Sequence, residues 1–247
     1  MKILAVETAT GRQSVALLDG AEVVACADED AGGAHAKRLV PAIDRLFRSG
    51  GWTLASLEGL AVSIGPGSFT GLRVGLATML GIRSVTGLPL AAVPTLEGMA
   101  WNLRSAARPL CPVLRSRVGE VYWAQYRWTD AGTLDRLGEE QVGALHEMAR
   151  VLQGPTVLFG EGWQANREAF YRLLGSRAED VCEPPVDKMH ASAVSVGLAG
   201  IRLLARGLVA GLGLAPRYVQ RAEAEIVWAR HNAAEGGVAT TPGSYKV

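Results

Sequence analysis

Mostly apolar residues open this chain in short blocks, at positions 2–6, 14–18 and 23–27, the first two led by Lys2 and Ser14. Turn-forming stretches separate them: Glu7-Thr8-Ala9-Thr10-Gly11, then Asp19-Gly20. Short apolar runs bounded by turn residues read as strands. Asp-Gly tolerates positive φ at both turn positions, which suits a tight hairpin. The pattern therefore predicts a three-strand antiparallel meander. The spacing then changes. Leu39, Val40, Ile43, Leu46 and Phe47 recur at i, i+1, i+4, i+7 and i+8, an amphipathic helix whose other face carries Lys37, Arg38, Asp44, Arg45 and Arg48. Pro41 requires the helix to start near it or to kink there. Ser49-Gly50-Gly51 ends it.

A continuous apolar run over 60–64 predicts a buried strand, and 69–85 predicts a helix. A short strand over 90–93 and a helix from Pro94-Thr95 to about 104 complete this half. The tract Ser105-Ala106-Ala107-Arg108-Pro109 marks the boundary. Beyond it, 111–114 and 120–126 read as strands, with Val121, Trp123 and Gln125 alternating against Tyr122, Ala124 and Tyr126. Those aromatics suit sheet packing better than a base-stacking platform. Helices follow over 145–152, 164–174 and 192–208, with a strand over 156–159. From 235 the residues are small and polar, which predicts disorder. The two halves share a plan, strands first and then helices alternating with strands. The expectation is a two-lobed α/β protein: an N-terminal lobe over 1–106, a C-terminal lobe over 107–230 and a flexible tail over 231–247.

Between strand 60–64 and helix 69–85 lies Gly65-Pro66-Gly67-Ser68-Phe69-Thr70-Gly71-Leu72-Arg73. Strand, glycine turn and helix start form the layout that aims backbone N–H groups at an anion. Gly65 and Gly67 can take positive φ, Ser68 or Thr70 can cap the helix, and Arg73 adds charge. The wording fits neither a P-loop nor a dinucleotide fingerprint. A tight turn with a helix cap and no ligand is the competing reading. The helix also holds Gly71, Gly75 and Gly81. Each interior glycine costs about 1 kcal/mol relative to alanine. Close packing must offset this, against a partner helix or against the chain's own sheet.

Composition narrows the function. Among 247 residues, 49% are hydrophobic and 20% charged, enough for a large core. A net charge of +1 argues against a strong general nucleic-acid binder. Cys26, Cys111 and Cys182 lie far apart, which suggests free thiols in a cytoplasmic protein. No stretch reaches the roughly 18 uninterrupted apolar residues of a membrane span, because Arg73, Arg83, Arg202 and Arg206 break the candidates. His35, His146, His190 and His231 show no metal-ligand spacing. Glu7 and Thr8, at a strand end, can touch phosphate or metal or can simply cap a turn.

The stretches 1–10 and 65–73, with Arg117-Val118-Gly119-Glu120-Val121-Tyr122 and Pro216-Arg217-Tyr218-Val219, resemble the TsaB family, formerly called YeaZ. The resemblance runs to about Trp228. It implies a two-lobed actin-like (ASKHA) fold, each lobe a mixed sheet flanked by helices. It implies a non-catalytic subunit supporting the catalytic paralogue TsaD in forming N6-threonylcarbamoyladenosine at position 37 of tRNAs reading ANN codons. TsaD carries an H-x-x-x-H metal motif; His35-Ala36-Lys37-Arg38-Leu39 keeps one histidine of it, so no metal is expected. The family pairs through its two N-lobe helices, which implies Leu39, Ile43, Leu46, Phe47, Gly71, Leu72, Gly75 and Met79 as interface residues. The ATPase TsaE joins the pair, a homodimer can form when the chain is alone, and tRNA is touched only through the complex. No cofactor is expected to bind tightly; ATP or ADP at the partner junction is the candidate, with Glu7, Thr8, Gly67, Ser68, Arg73 and Arg117 as the loop that would meet it. One departure stands out. Arg115-Ser116-Arg117 replaces the family's usual Asp-Ala-Arg. The alternative function is a stand-alone actin-fold ATPase or small-molecule kinase, and a peptidase has no supporting motif.

Overall fold

The computed structural model describes residues 1–211 and 213–219. The chain opens with β1 (Lys2–Glu7), β2 (Arg12–Asp19) and β3 (Glu22–Asp30), the expected meander. Helix α1 (His35–Gly50) leads to β4 (Gly59–Ser63), α2 (Phe69–Thr86) and β5 (Leu90–Val93). β4 pairs parallel with β1, and β5 pairs parallel with β4, giving the order β3-β2-β1-β4-β5. Helix α1 begins at His35, so Pro41 lies inside it, on an exposed face. Gly51, in the left-handed conformation, closes the helix with an N–H bond to the Phe47 carbonyl.

Alternation along the strands divides this sheet into two faces of different depth. Leu4, Val6, Val15, Leu17, Leu60 and Val62 meet Leu39, Ile43, Leu46 and Met79 of α1 and α2. The opposite face presents mostly smaller groups, among them Ala5, Ala16, Ala61 and Ala91.

The second sheet follows α3 (Thr95–Ala100). It comprises β6 (Leu110–Arg115), β7 (Glu120–Trp123), β8 (Tyr126–Trp128), β9 (Leu134–Arg136), β10 (Gln141–Ala144), β11 (Thr156–Phe159) and β12 (Val181–Cys182). Helices α4 (Leu145–Val151) and α5 (Glu161–Leu174) cover it around Trp163, Phe170 and Met148. The strand expected over 120–126 is two strands. β7 pairs with β6 and β10, while β8 turns away at Ala124-Gln125 to pair with β9 and, through Tyr126, with Leu110.

The last helix among the described residues, α6 (Ala193–Ala205), corrects the expected division at 107–230. It crosses back and packs on the alanine-rich face of the first sheet. A Cβ at Gly197 would press on Leu18, and one at Gly200 on Ala61, both closer than 3.0 Å. The glycine and alanine content of this segment is thus the print of a close helix-on-sheet approach. The first lobe comprises the first five strands together with α1, α2 and α6. The tail expected over 231–247 lies outside the described residues. No helix among the described residues is long and apolar enough to cross a membrane.

Candidate functional site

The glycine turn between β4 and α2 faces inward. Ser68 N donates to the Ala9 carbonyl at 2.6 Å, Gly65 N to Thr95 Oγ1 at 3.1 Å, and Gly71 N to Ser68 Oγ at 3.2 Å. Ser68, of the two candidates, is therefore the helix cap. A Cβ at Gly67 would lie under 3.0 Å from the Ala9 carbonyl oxygen. The same holds at Gly71 against the Thr8 carbonyl oxygen and at Gly75 against Thr8 Oγ1. Three N–H groups of the expected anion cradle are spent within the chain. Gly67 and Gly71 are explained by the β1–β2 turn pressing against them, and Gly65 by the close approach of the Arg217 carbonyl.

Thr8 is fully buried, and its hydroxyl donates to the Gly71 carbonyl at 2.8 Å. His35 Nε2 lies 3.1 Å from the Thr10 carbonyl, so this histidine anchors the same turn. Burial lowers its pKa. Arg73 points away from the turn. Its Nε donates to Tyr218 Oη at 3.0 Å, its guanidinium lies 3.7 Å over the Phe69 ring, and Tyr218 stacks on Phe69 at 5.2 Å. The geometry separates Arg73 from Glu7 and Thr8, with which it was grouped as an anion site. Arg117 lies in the β6–β7 turn, where its carbonyl accepts from Glu120 N at 3.0 Å.

Glu7 is buried at the carboxyl end of β1. Its Oε1 accepts from Ala9 N, while Oε2 has no hydrogen-bond partner. Burial above all pushes its pKa up to about 7; the Ala9 bond and the nearby Ser63 hydroxyl oppose the rise, and Glu161 and Asp28 add to it. Glu161, at the start of α5, is also raised by burial, and Arg115 opposes that rise. Arg115, the departure from the family wording, thus stands beside a carboxylate between the lobes. The sign for Glu7 is definite. The unfolded group ionises near 4.5 while the folded group holds its proton to about 7. Stability therefore falls as pH rises between those values. Glu7→Gln is expected to melt like the wild type near pH 4.5 and to be more stable at pH 8, by about 3 kcal/mol. Melting curves across that range check this; parallel curves for the two proteins would contradict it.

A strap formed by 216–219 crosses the glycine turn. Arg217 N donates to the Ile64 carbonyl at 2.6 Å, and its guanidinium reaches Glu140 Oε2 at 3.1 Å, without hydrogen-bond alignment. The Glu140 side chain is 1% exposed, and its pKa is raised chiefly by burial. Sequence wording flagged Arg217 without showing that it joins the two lobes. Arg217→Ala is expected to cost about 1–2 kcal/mol, because it strands a buried carboxylate. Adding Glu140→Gln should recover part of that loss in a urea-unfolding double-mutant cycle; strictly additive losses would contradict the pairing.

The expected partner surface needs correction. Leu39, Ile43, Leu46, Gly71, Leu72, Gly75 and Met79 are buried inside this chain, and Phe47 is half-buried against the same core. Inward apolar residues of an amphipathic helix serve their own sheet first. The outward face of α2 is a different set. Phe69, Arg73, Ala77, Gly81 and Val85 recur at i+4, and every one is exposed. Val85 is 84% exposed, and a Cβ at Gly81 would meet nothing within 4 Å. On α1, Val40 is 60% exposed. Gly81, unlike Gly71 and Gly75, has no packing reason among the described residues.

Comparison with known proteins places these features. The family model described as "TsaD: tRNA N6-adenosine threonylcarbamoyltransferase" matches residues 27–228. An Escherichia coli protein named "tRNA threonylcarbamoyladenosine biosynthesis protein TsaB" is 37% identical over 177 residues, covering 67% of this chain and 73% of the relative. The chain belongs to the TsaB family. The solved structure of YeaZ from Pseudomonas aeruginosa superposes with a TM-score of 0.70 at 26% identity, covering 88% of this chain and 99% of that one. The fold extends further. A hexokinase of the ROK family from Thermus thermophilus superposes with a TM-score of 0.51 at 13% identity, over 84% of this chain and all of the other. This chain therefore has the actin-like two-lobed architecture. Within it, position 39, where the TsaD motif would need a second histidine, is Leu39, fully buried in the core. Among the described residues no group of three His, Cys, Asp or Glu is placed to hold a metal ion.

Proposed function

We propose that this chain is a non-catalytic subunit that docks a TsaD-type paralogue through the outward faces of α1 and α2. With the ATPase TsaE, the complex would form N6-threonylcarbamoyladenosine at position 37 of tRNAs reading ANN codons. Family membership supports the pathway. The observation that carries the docking surface is the exposed i+4 stripe of α2, from Phe69 to Val85, in which Phe69 and Arg73 meet Tyr218 while Ala77, Gly81 and Val85 continue outward and a Cβ at Gly81 would meet no described residue within 4 Å. Apolar and small groups left open along a helix suit a second helix, which small residues admit closely. When no paralogue is present, the same stripe would serve a homodimer.

On this reading tRNA is met only through the complex, in keeping with a net charge of +1. No cofactor binds this chain tightly, and ATP or ADP would sit at the partner junction. A stand-alone ATPase has less support, because the glycine turn uses its N–H groups on Ala9, Thr95 and Ser68. The test is reconstitution from purified TsaD, TsaE, the adenylate-forming enzyme and unmodified tRNA. Omitting this chain is expected to abolish modification. Equal yield without it would refute the reading.

A further inference from the structure

Between the C-terminal half of α6, the end of α3 and the β8–β9 hairpin lies a cavity of about 390 Å3, away from the α1–α2 face. Arg202 of α6 and Arg206, the residue that caps its C-terminal end, line it four positions apart. Glu97 of α3 and Asp135 of β9 line it from the other sides. Trp101, Leu134 and Leu203 supply apolar wall. None of the four charged side chains makes an ion pair or hydrogen bond with another described residue. Long flexible side chains of opposite charge close on one another readily. Here they stand apart across open volume. Burial raises the pKa of the Glu97 carboxyl, Glu140 adds to the rise, and Arg136, Arg217 and Arg206 oppose it. This carboxylate therefore gains from a cation brought into the cavity.

The size falls at the small-molecule end of binding cavities. A guanidinium pair suits a carboxylate or a phosphate. A phosphate ester would satisfy the arginines and set like charge against Glu97 and Asp135. A ligand with one charge of each sign satisfies both walls. We propose that this cavity binds a free α-amino acid with a large apolar side chain. Its carboxylate would lie on Arg202 and Arg206, its ammonium toward Glu97 and Asp135, and its side chain against Trp101 and the two leucines. This site goes beyond the docking reading and does not depend on it.

The test is calorimetric titration of the full-length chain with L-tryptophan, L-phenylalanine and L-leucine. Tryptamine and indole-3-propionate serve as probes that each keep one charge. At least one amino acid is expected to bind at millimolar concentration or below. The two single-charge probes should bind at least tenfold more weakly than tryptophan. The double variant Arg202→Ala/Arg206→Ala should lose at least tenfold in amino-acid affinity. Both arginines are exposed, so its melting temperature should be retained. Glu97→Gln, which keeps shape and removes charge, should weaken the amino acid and leave indole-3-propionate unchanged. No binding by any of the three amino acids would overturn the proposal. So would equal affinity for tryptophan and both probes, which would show apolar binding alone.

Discussion

Gly71→Ala is expected to cost roughly 4 kcal/mol or more and to lower the melting temperature by about 10 °C. The added methyl would meet the Thr8 carbonyl oxygen, a backbone atom, closer than 3.0 Å. Neither side can retreat cheaply. Thr8 is fully buried, its hydroxyl holds the Gly71 carbonyl, and Ala9 is tied to Ser68 N. Overpacking against fixed backbone lies at the severe end of core substitutions. Gly81→Ala, ten residues along the same helix, is expected to raise stability by about 1 kcal/mol. Its Cβ enters open space and helix propensity improves. Urea unfolding of both variants measures the contrast. A Gly71→Ala protein within about 1 kcal/mol of wild type would show that the β1–β2 turn does not press on α2.

Ala77→Glu is expected to leave the fold intact and weaken association with TsaD at least ~30-fold, since it buries an unpaired charge at the centre of the stripe. Ala77 is exposed, so the isolated chain loses only a few tenths of a kcal/mol in helix propensity. Arg172→Glu, exposed on α5 of the other lobe, is the matched control and should bind normally. Titration of purified TsaD with each variant, after confirming equal melting, reads the effect. Gly75→Leu cannot serve, because its side chain would strike Thr8 Oγ1 and disturb folding before docking is tested.

The fold was legible where periodicity and turn chemistry agreed. The meander, α1, β4, α2 and β5 follow directly from apolar spacing and from Asp19-Gly20. The short strands β9, β10 and β12 were not visible, because Leu134-Asp135-Arg136, Gln141-Val142-Gly143-Ala144 and Val181-Cys182 offer no apolar run such as marks β5. Helix α6 was seen as a helix and assigned to the wrong lobe. Its small-residue face encodes close packing without naming the surface it packs on. The same ambiguity governed α2. Sequence gives three equivalent glycines, and only coordinates separate Gly71 and Gly75, pressed on Thr8, from the open Gly81.

The candidate site was legible through wording more than through chemistry. The glycine turn was placed correctly between strand and helix, but its donors turned inward, because the β1–β2 turn arrives from a distant part of the chain. The raised pKa of Glu7 likewise draws on the charge of Glu161, more than 150 residues away. Arg217 bridging to Glu140 has no local signal at all. Arg202 and Arg206 show helical i+4 spacing, yet the carboxylates across the cavity come from α3 and β9.

The docking claim is tested most directly by a photo-crosslinking amino acid placed at position 77, with a second protein carrying it at position 172. The chain is irradiated with TsaD, and the adduct is mapped by mass spectrometry. The account predicts a TsaD adduct from position 77 and none from position 172. An adduct from position 172 alone would place the partner on the other lobe and contradict it.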